Sequence, residues 1–70
     1  MGELAGQAIP RLAHLLSEDE DARTRGFAAQ ALGIIGPRTG YIRNLLLDAT
    51  KDPEEFVRVE ARRALEFQSK

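Results

Sequence analysis

The sequence predicts an all-α chain, an α-solenoid fragment made of two helix–turn–helix repeats and four helices. Three observations carry this prediction. First, residues 8–37 moved along by 33 positions fall on residues 41–70 without a gap. Ile9 meets Ile42, Leu12 meets Leu45, Asp19 meets Asp52, Arg25 meets Arg58, Ala28 meets Ala61 and Leu32 meets Leu65. A period of this length marks stacked supersecondary units, because one unit cannot bury its apolar face alone. Second, apolar residues recur at i, i+3 and i+4 in four separate segments. Third, no segment alternates apolar and polar with period two, so no strand is expected. The chain reads as one domain over residues 1–70, with repeat one at about 3–36 and repeat two at about 38–69.

The first helix carries Leu4, Ala5, Ala8, Ile9, Leu12, Leu15 and Leu16 and runs to about Ser17. Pro10 inside it predicts a kink or an irregular first turn. Ser17-Glu18-Asp19 ends it, and Asp19 is the expected N-cap of a second helix from Glu20, whose first-turn acids suit the positive end of the macrodipole. Ala28, Ala31, Leu32 and Ile35 are its expected buried stripe, and Gly36-Pro37 its stop. Helix three holds Ile42, Leu45, Leu46 and Ala49. Helix four opens at Asp52-Pro53-Glu54-Glu55, with Asp52 as cap, Pro53 in the first turn and Glu55 at capping-box spacing. Val57, Ala61, Ala64 and Leu65 form its expected core face.

Composition narrows the function classes. A chain of 70 residues with 43% hydrophobic content builds a modest core, which chains of this size commonly reinforce. It has no cysteine and one histidine, so disulfides and thiolate or zinc clusters are not available, and association is the remaining means. The net charge of −1, with both signs interspersed, disfavours bulk capture by nucleic acid or an anionic membrane. No apolar run approaches the roughly 20 residues of a transmembrane helix. The N-terminus lacks the pattern of a secretory signal, so a cytoplasmic protein is expected.

Each unit orders an apolar first helix, a short turn with Asp, and a second helix with Arg six residues after the Asp and an Ala-rich face. Pro10 lies in the first helix of unit one, where unit two has Arg43. These residues resemble HEAT repeats from Ala8 to about Glu66. The stretches from Arg25 to Gly36 and from Val57 to Leu65 are similar to the short bacterial, phycobilisome-lyase-like variety. The resemblance implies a helical scaffold or adaptor. It also implies, as alternatives, a lyase-like or assembly-factor subunit for a cofactor-bearing protein, or a nucleic-acid-binding fragment. By the same analogy, Asp19 with Arg25 and Asp52 with Arg58 stitch each unit to itself and to its neighbour.

The two units also differ. Phe27, Ala29 and Ile35 are replaced at their repeat positions by Glu60, Arg62 and Gln68, as expected if unit two is the polar outer end of the stack. The opening helix is apolar over a wide arc. Either the chain is the tail of a longer solenoid or that face meets a partner or a second copy.

Catalytic and cofactor sites are not expected. Glu18-Asp19-Glu20-Asp21 lacks the alternating ligands and downstream glutamate of a calcium loop and reads as a turn and helix start. His14 has no nucleophile arranged around it, and its repeat mate is Leu47. Gly26 in mid-helix is costly unless another helix approaches closely. Arg23, Arg25, Arg58, Arg62 and Arg63 are interleaved with Glu60 and Glu66, which reads as paired surface charge, and no aromatic stands among them to stack bases. The expected partner interface is hydrophobic: Leu4, Phe27, Ile34, Tyr41, Leu47 and Phe67 exceed what a four-helix core takes in. The function read from the sequence is therefore a non-catalytic protein–protein interaction module, with no cofactor, no metal and no membrane contact.

Overall fold

A computed structural model of the chain describes residues 2–70, with side chains from residue 7 onward. The helices are α1 (Gly2–Glu18), α2 (Ala22–Ile35), α3 (Gly40–Ala49) and α4 (Glu55–Gln68), and no strand occurs among the described residues. Two helix hairpins, α1–α2 and α3–α4, stack so that α1 meets α3 and α2 meets α4. The α2–α4 interface is the most extensive of these. The helices therefore lie in two layers, one of first helices and one of second helices.

The caps sit further along the chain than the sequence suggests. Asp21, not Asp19, is the N-cap of α2 and accepts the Arg23 backbone N–H at 2.9 Å. That bond, with a second one from the Arg23 guanidinium, holds the Asp21 carboxyl below the usual carboxylate range. Asp19 acts one step earlier and accepts the Asp21 N–H at 2.8 Å. Unit two repeats the device: Asp52 accepts the Glu54 N–H at 2.9 Å, and Glu54 is the N-cap without a side-chain cap of its own. Pro53 thus precedes the helix instead of filling its first position, and Glu55 begins α4. An Asp that folds the turn two residues before the cap serves as well as an Asp at the cap itself. Thr39 caps α3, accepting the Ile42 N–H at 3.3 Å.

Helix α1 passes through Pro10 without a break in its α-helical run; the proline side chain is exposed. At the end of α2, Gly36 has φ −71° and ψ 145°, and its N–H donates to the Leu32 carbonyl at 2.8 Å. Its value there is the missing side chain, because a Cβ would collide with the Leu32 carbonyl oxygen.

Leu32, Ile42, Leu46 and Val57 are fully buried at the centre, and Ala28, Ala29, Ala61 and Ala64 close around them. Ile35 is exposed, contrary to its place in the expected stripe, while Ala31, Leu45 and Leu65 are half-buried. The α2 face that packs is made of small residues: a Cβ on Gly33 would lie 2.5 Å from the Ala64 Cβ and 2.6 Å from its Cα. Close backbone approach, not side-chain bulk, joins the second helices. Gly33→Val is therefore expected to destabilise the fold by about 1–3 kcal/mol, the cost of overpacking a filled site. Urea denaturation measures it, and an unchanged midpoint would contradict the close approach.

The wide apolar arc expected on the opening helix is not open among the described side chains. Ala13 and Leu16 are buried, and Ile9, Leu12 and Leu15 pack against the core. The outer face of α1 from residue 7 onward presents Gln7, Pro10, Arg11, His14, Ser17 and Glu18.

Candidate interaction groove

Four of the seven large hydrophobic side chains exposed among the described residues gather where α2 and α4 run side by side. Phe27 and Ile34 lie two turns apart on α2 and are 58% and 60% exposed. Phe56 and Phe67 occupy the facing side of α4, three turns apart, and are both exposed. The rings of Phe27 and Phe56 meet edge to face, with centroids 5.4 Å apart. At the other end, Ile34 and Phe67 border a groove of about 170 Å³ whose lining includes Gly33, Ala64, Gln30, Glu60 and Arg63. Along this α2–α4 channel the Phe27–Phe56 contact closes one end, and a shallow groove with polar and apolar lining opens at the other.

The local sequence explains the channel. Gly26 gives the Phe56 ring its seat, since a Cβ there would collide with that ring. The mid-helix glycine thus serves a neighbouring helix, which a chain scan leaves undecided. Phe56 is absent from the expected interface, and its signal was Gly26 on the neighbouring helix, not any feature of its own segment.

Three expected interface residues, Phe27, Ile34 and Phe67, belong to this channel. Tyr41 and Leu47 are exposed but lie on α3, away from it. Leu47 borders a separate open groove of about 500 Å³ at the end of the stack, with Arg43, Leu65, Glu66 and Gln68. The Leu4 side chain lies outside the described residues.

Two of the three substitutions expected to dress the outer end of unit two point the other way. Glu60 is buried on the α2 side of α4 and lines the channel. Gln68 donates from Nε2 to the Leu32 and Gly36 carbonyls at 3.1 and 3.0 Å, satisfying the C-terminal end of α2. Arg38 in turn donates to the Gln68 carbonyl at 2.7 Å. Only Arg62 is exposed as expected, and with it Glu66 stands at the repeat position of Gly33.

The Asp and Arg pairs form a clasp between the units. Arg25 donates from Nη1 to the carbonyls of Asp19 and Glu20 at 2.8 and 3.1 Å. From Nε and Nη2 it donates to the two carboxylate oxygens of Asp52 at 2.8 and 3.1 Å, a bidentate pair. Arg58 donates to the Asp52 carbonyl at 2.8 Å, the same bond in the second unit. The Arg25 hydrogen bonds hold the Asp52 carboxyl below the usual carboxylate range against the opposing effect of burial. Of the remaining arginines, Arg23 pairs with Asp21 at 3.5 Å and Arg63 with Glu60 at 3.5 Å.

A stack of helix hairpins closed by an Asp–Arg clasp, with an apolar channel along its second helices, is a helical-repeat module of the α-solenoid class. A family profile for HEAT repeats matches residues 1–66, and the chain belongs to that family. No curated protein and no solved structure matches it. Among the described residues, no helix is long and apolar enough to cross a membrane.

Proposed function

We propose that the chain is a non-catalytic protein-interaction module and that the α2–α4 channel receives the partner. The observation that carries this reading is the alignment of Phe27, Phe56, Ile34 and Phe67 along one interhelical channel. Exposed apolar groups on one continuous surface are what an interface buries, whereas scattered ones are ordinary surface. Large aromatics flanked by polar groups are also the usual anchors of binding energy. The clasp residues Asp19, Arg25, Asp52 and Arg58 are structural in this reading, since their donors are directed at turn carbonyls and at one another.

The test compares proteins captured by the immobilised chain with those captured by a double variant, Ile34→Ser with Phe67→Ser. Both side chains are exposed, so the variant is expected to keep its helicity and to lose the proteins that the unaltered chain retains. Capture of the same proteins by both would contradict the reading. Light scattering of the isolated chain shows whether a second copy is among the occupants: self-association through this channel would be lost in the same variant.

A further inference from the structure

We infer that the α2–α4 channel selects a partner segment carrying a lysine or arginine between two apolar anchors, with the Glu60 carboxylate receiving the cation. This rests on the channel being the docking site. Glu60 is the observation that goes further. Its side chain is only 8% exposed, yet among the described residues it accepts no hydrogen bond. Its one charged neighbour is Arg63 at 3.5 Å, on the same helix and 74% exposed. The carboxylate oxygens are not sealed in, so water still serves them, and a pair that open to solvent adds little.

The placement of Glu60 decides what can cover it. It lines the groove together with Gly33, Ile34, Ala64 and Phe67, so a segment seated on Ile34 and Phe67 removes its remaining water. A purely apolar segment would leave the carboxylate desolvated without a donor, which is strongly unfavourable. A basic side chain supplies the donor and the opposite charge in one group. An acidic one would meet a like charge.

Geometry sets the spacing. Phe27 and Ile34 are two helical turns apart, about 10 Å. A helical ligand meets both ends of the channel with apolar residues at i and i+7 and places a residue at i+3 or i+4 over Glu60. Repulsion by Arg63 does not defeat this arrangement, because its long exposed side chain is free to turn outward as the new cation takes its place.

The experiment selects binders to the intact chain from a displayed library of helical peptides of about 16 residues. The expected result is enrichment of Lys or Arg between two apolar positions seven apart. The best peptide then enters a double-mutant cycle: Glu60→Gln on the protein and Met for the basic residue on the peptide, each expected to weaken binding at least about tenfold and the two together little more than either alone. Glu60→Gln keeps shape and burial, and circular dichroism verifies its fold. Peptides that require Ile34 and Phe67 but show no basic preference and no response to Glu60→Gln would overturn the cation site and leave the docking channel standing. Failure to select any peptide that depends on Ile34 and Phe67 would overturn both.

Discussion

Leu32→Asp is expected to abolish cooperative thermal unfolding and most of the helical circular-dichroism signal. Leu32 is fully buried at the centre of the four helices, in contact with both hairpins' core. The substitution removes a large side chain, at a typical cost of about 2–5 kcal/mol, and places a carboxylate where no donor waits for it. A domain of this size holds only about 4–10 kcal/mol in total. The repeat mate Leu65 makes the control. It is half-buried at the edge of the end groove, so Leu65→Asp is expected to lower the melting temperature and leave a folded chain at room temperature. Equal loss of helicity in the two variants would contradict the placement of the core.

Arg25→Ala is expected to lower the melting temperature by roughly 10–20 °C, more than Arg58→Ala does. Arg25 ties three places together: its own turn at Asp19 and Glu20, and the opposite unit at Asp52, with the Arg25 and Asp52 side chains only 15% and 12% exposed. Its removal leaves the Asp52 carboxylate without the guanidinium that compensates its burial. Arg58 holds a single bond, to the Asp52 carbonyl. The clasp also predicts an acid dependence. The folded-state pKa of Asp52 is depressed below its ordinary value of 3.8, so the unfolded chain binds the proton more readily. The stabilisation is present in full above that ordinary value and is lost as pH falls through the folded pKa. In Arg25→Ala this part of the acid sensitivity disappears. Melting curves between pH 6 and about pH 2 measure it, and parallel pH profiles for the two proteins would contradict the clasp.

How much of this was legible in the sequence depends on whether local or tertiary physics decides a residue's place. The register of 33 residues was readable because both units keep the same apolar and Asp–Arg positions, and the four helices follow from it. The cap of α2 was not, because Glu18, Asp19, Glu20 and Asp21 are all acidic and only the turn geometry picks Asp21. Ile35 was misplaced because periodicity favours bulky residues, whereas α2 packs through Gly26, Ala29 and Gly33. Glu60 and Gln68 were misread for a related reason. A polar residue at a repeat position occupied by an apolar one suggests an outer surface, but here one lines the interhelical channel and the other satisfies carbonyls of the preceding unit.

The candidate site divides along the same line. That Leu4, Phe27, Ile34, Tyr41, Leu47 and Phe67 together exceed a small core is legible from the sequence, but not which of them face outward. That they share a channel, and that Tyr41 and Leu47 do not, depends on how α2 sits against α4. Phe56 entered the site only through its contact with Gly26. A mid-helix glycine facing a large aromatic 30 residues later is a pairing that sequence order hides and stacking restores.

The measurement that bears most directly on the central claim is amide chemical-shift mapping of the isotope-labelled chain titrated with the selected peptide. The account predicts perturbations concentrated on α2 around Phe27, Gln30 and Ile34 and on α4 around Phe56, Glu60 and Phe67, with α1 and the end groove at Leu47 little changed. Perturbations centred on Tyr41, Leu47 and Arg43, or spread along α1, would place the interface elsewhere and contradict it.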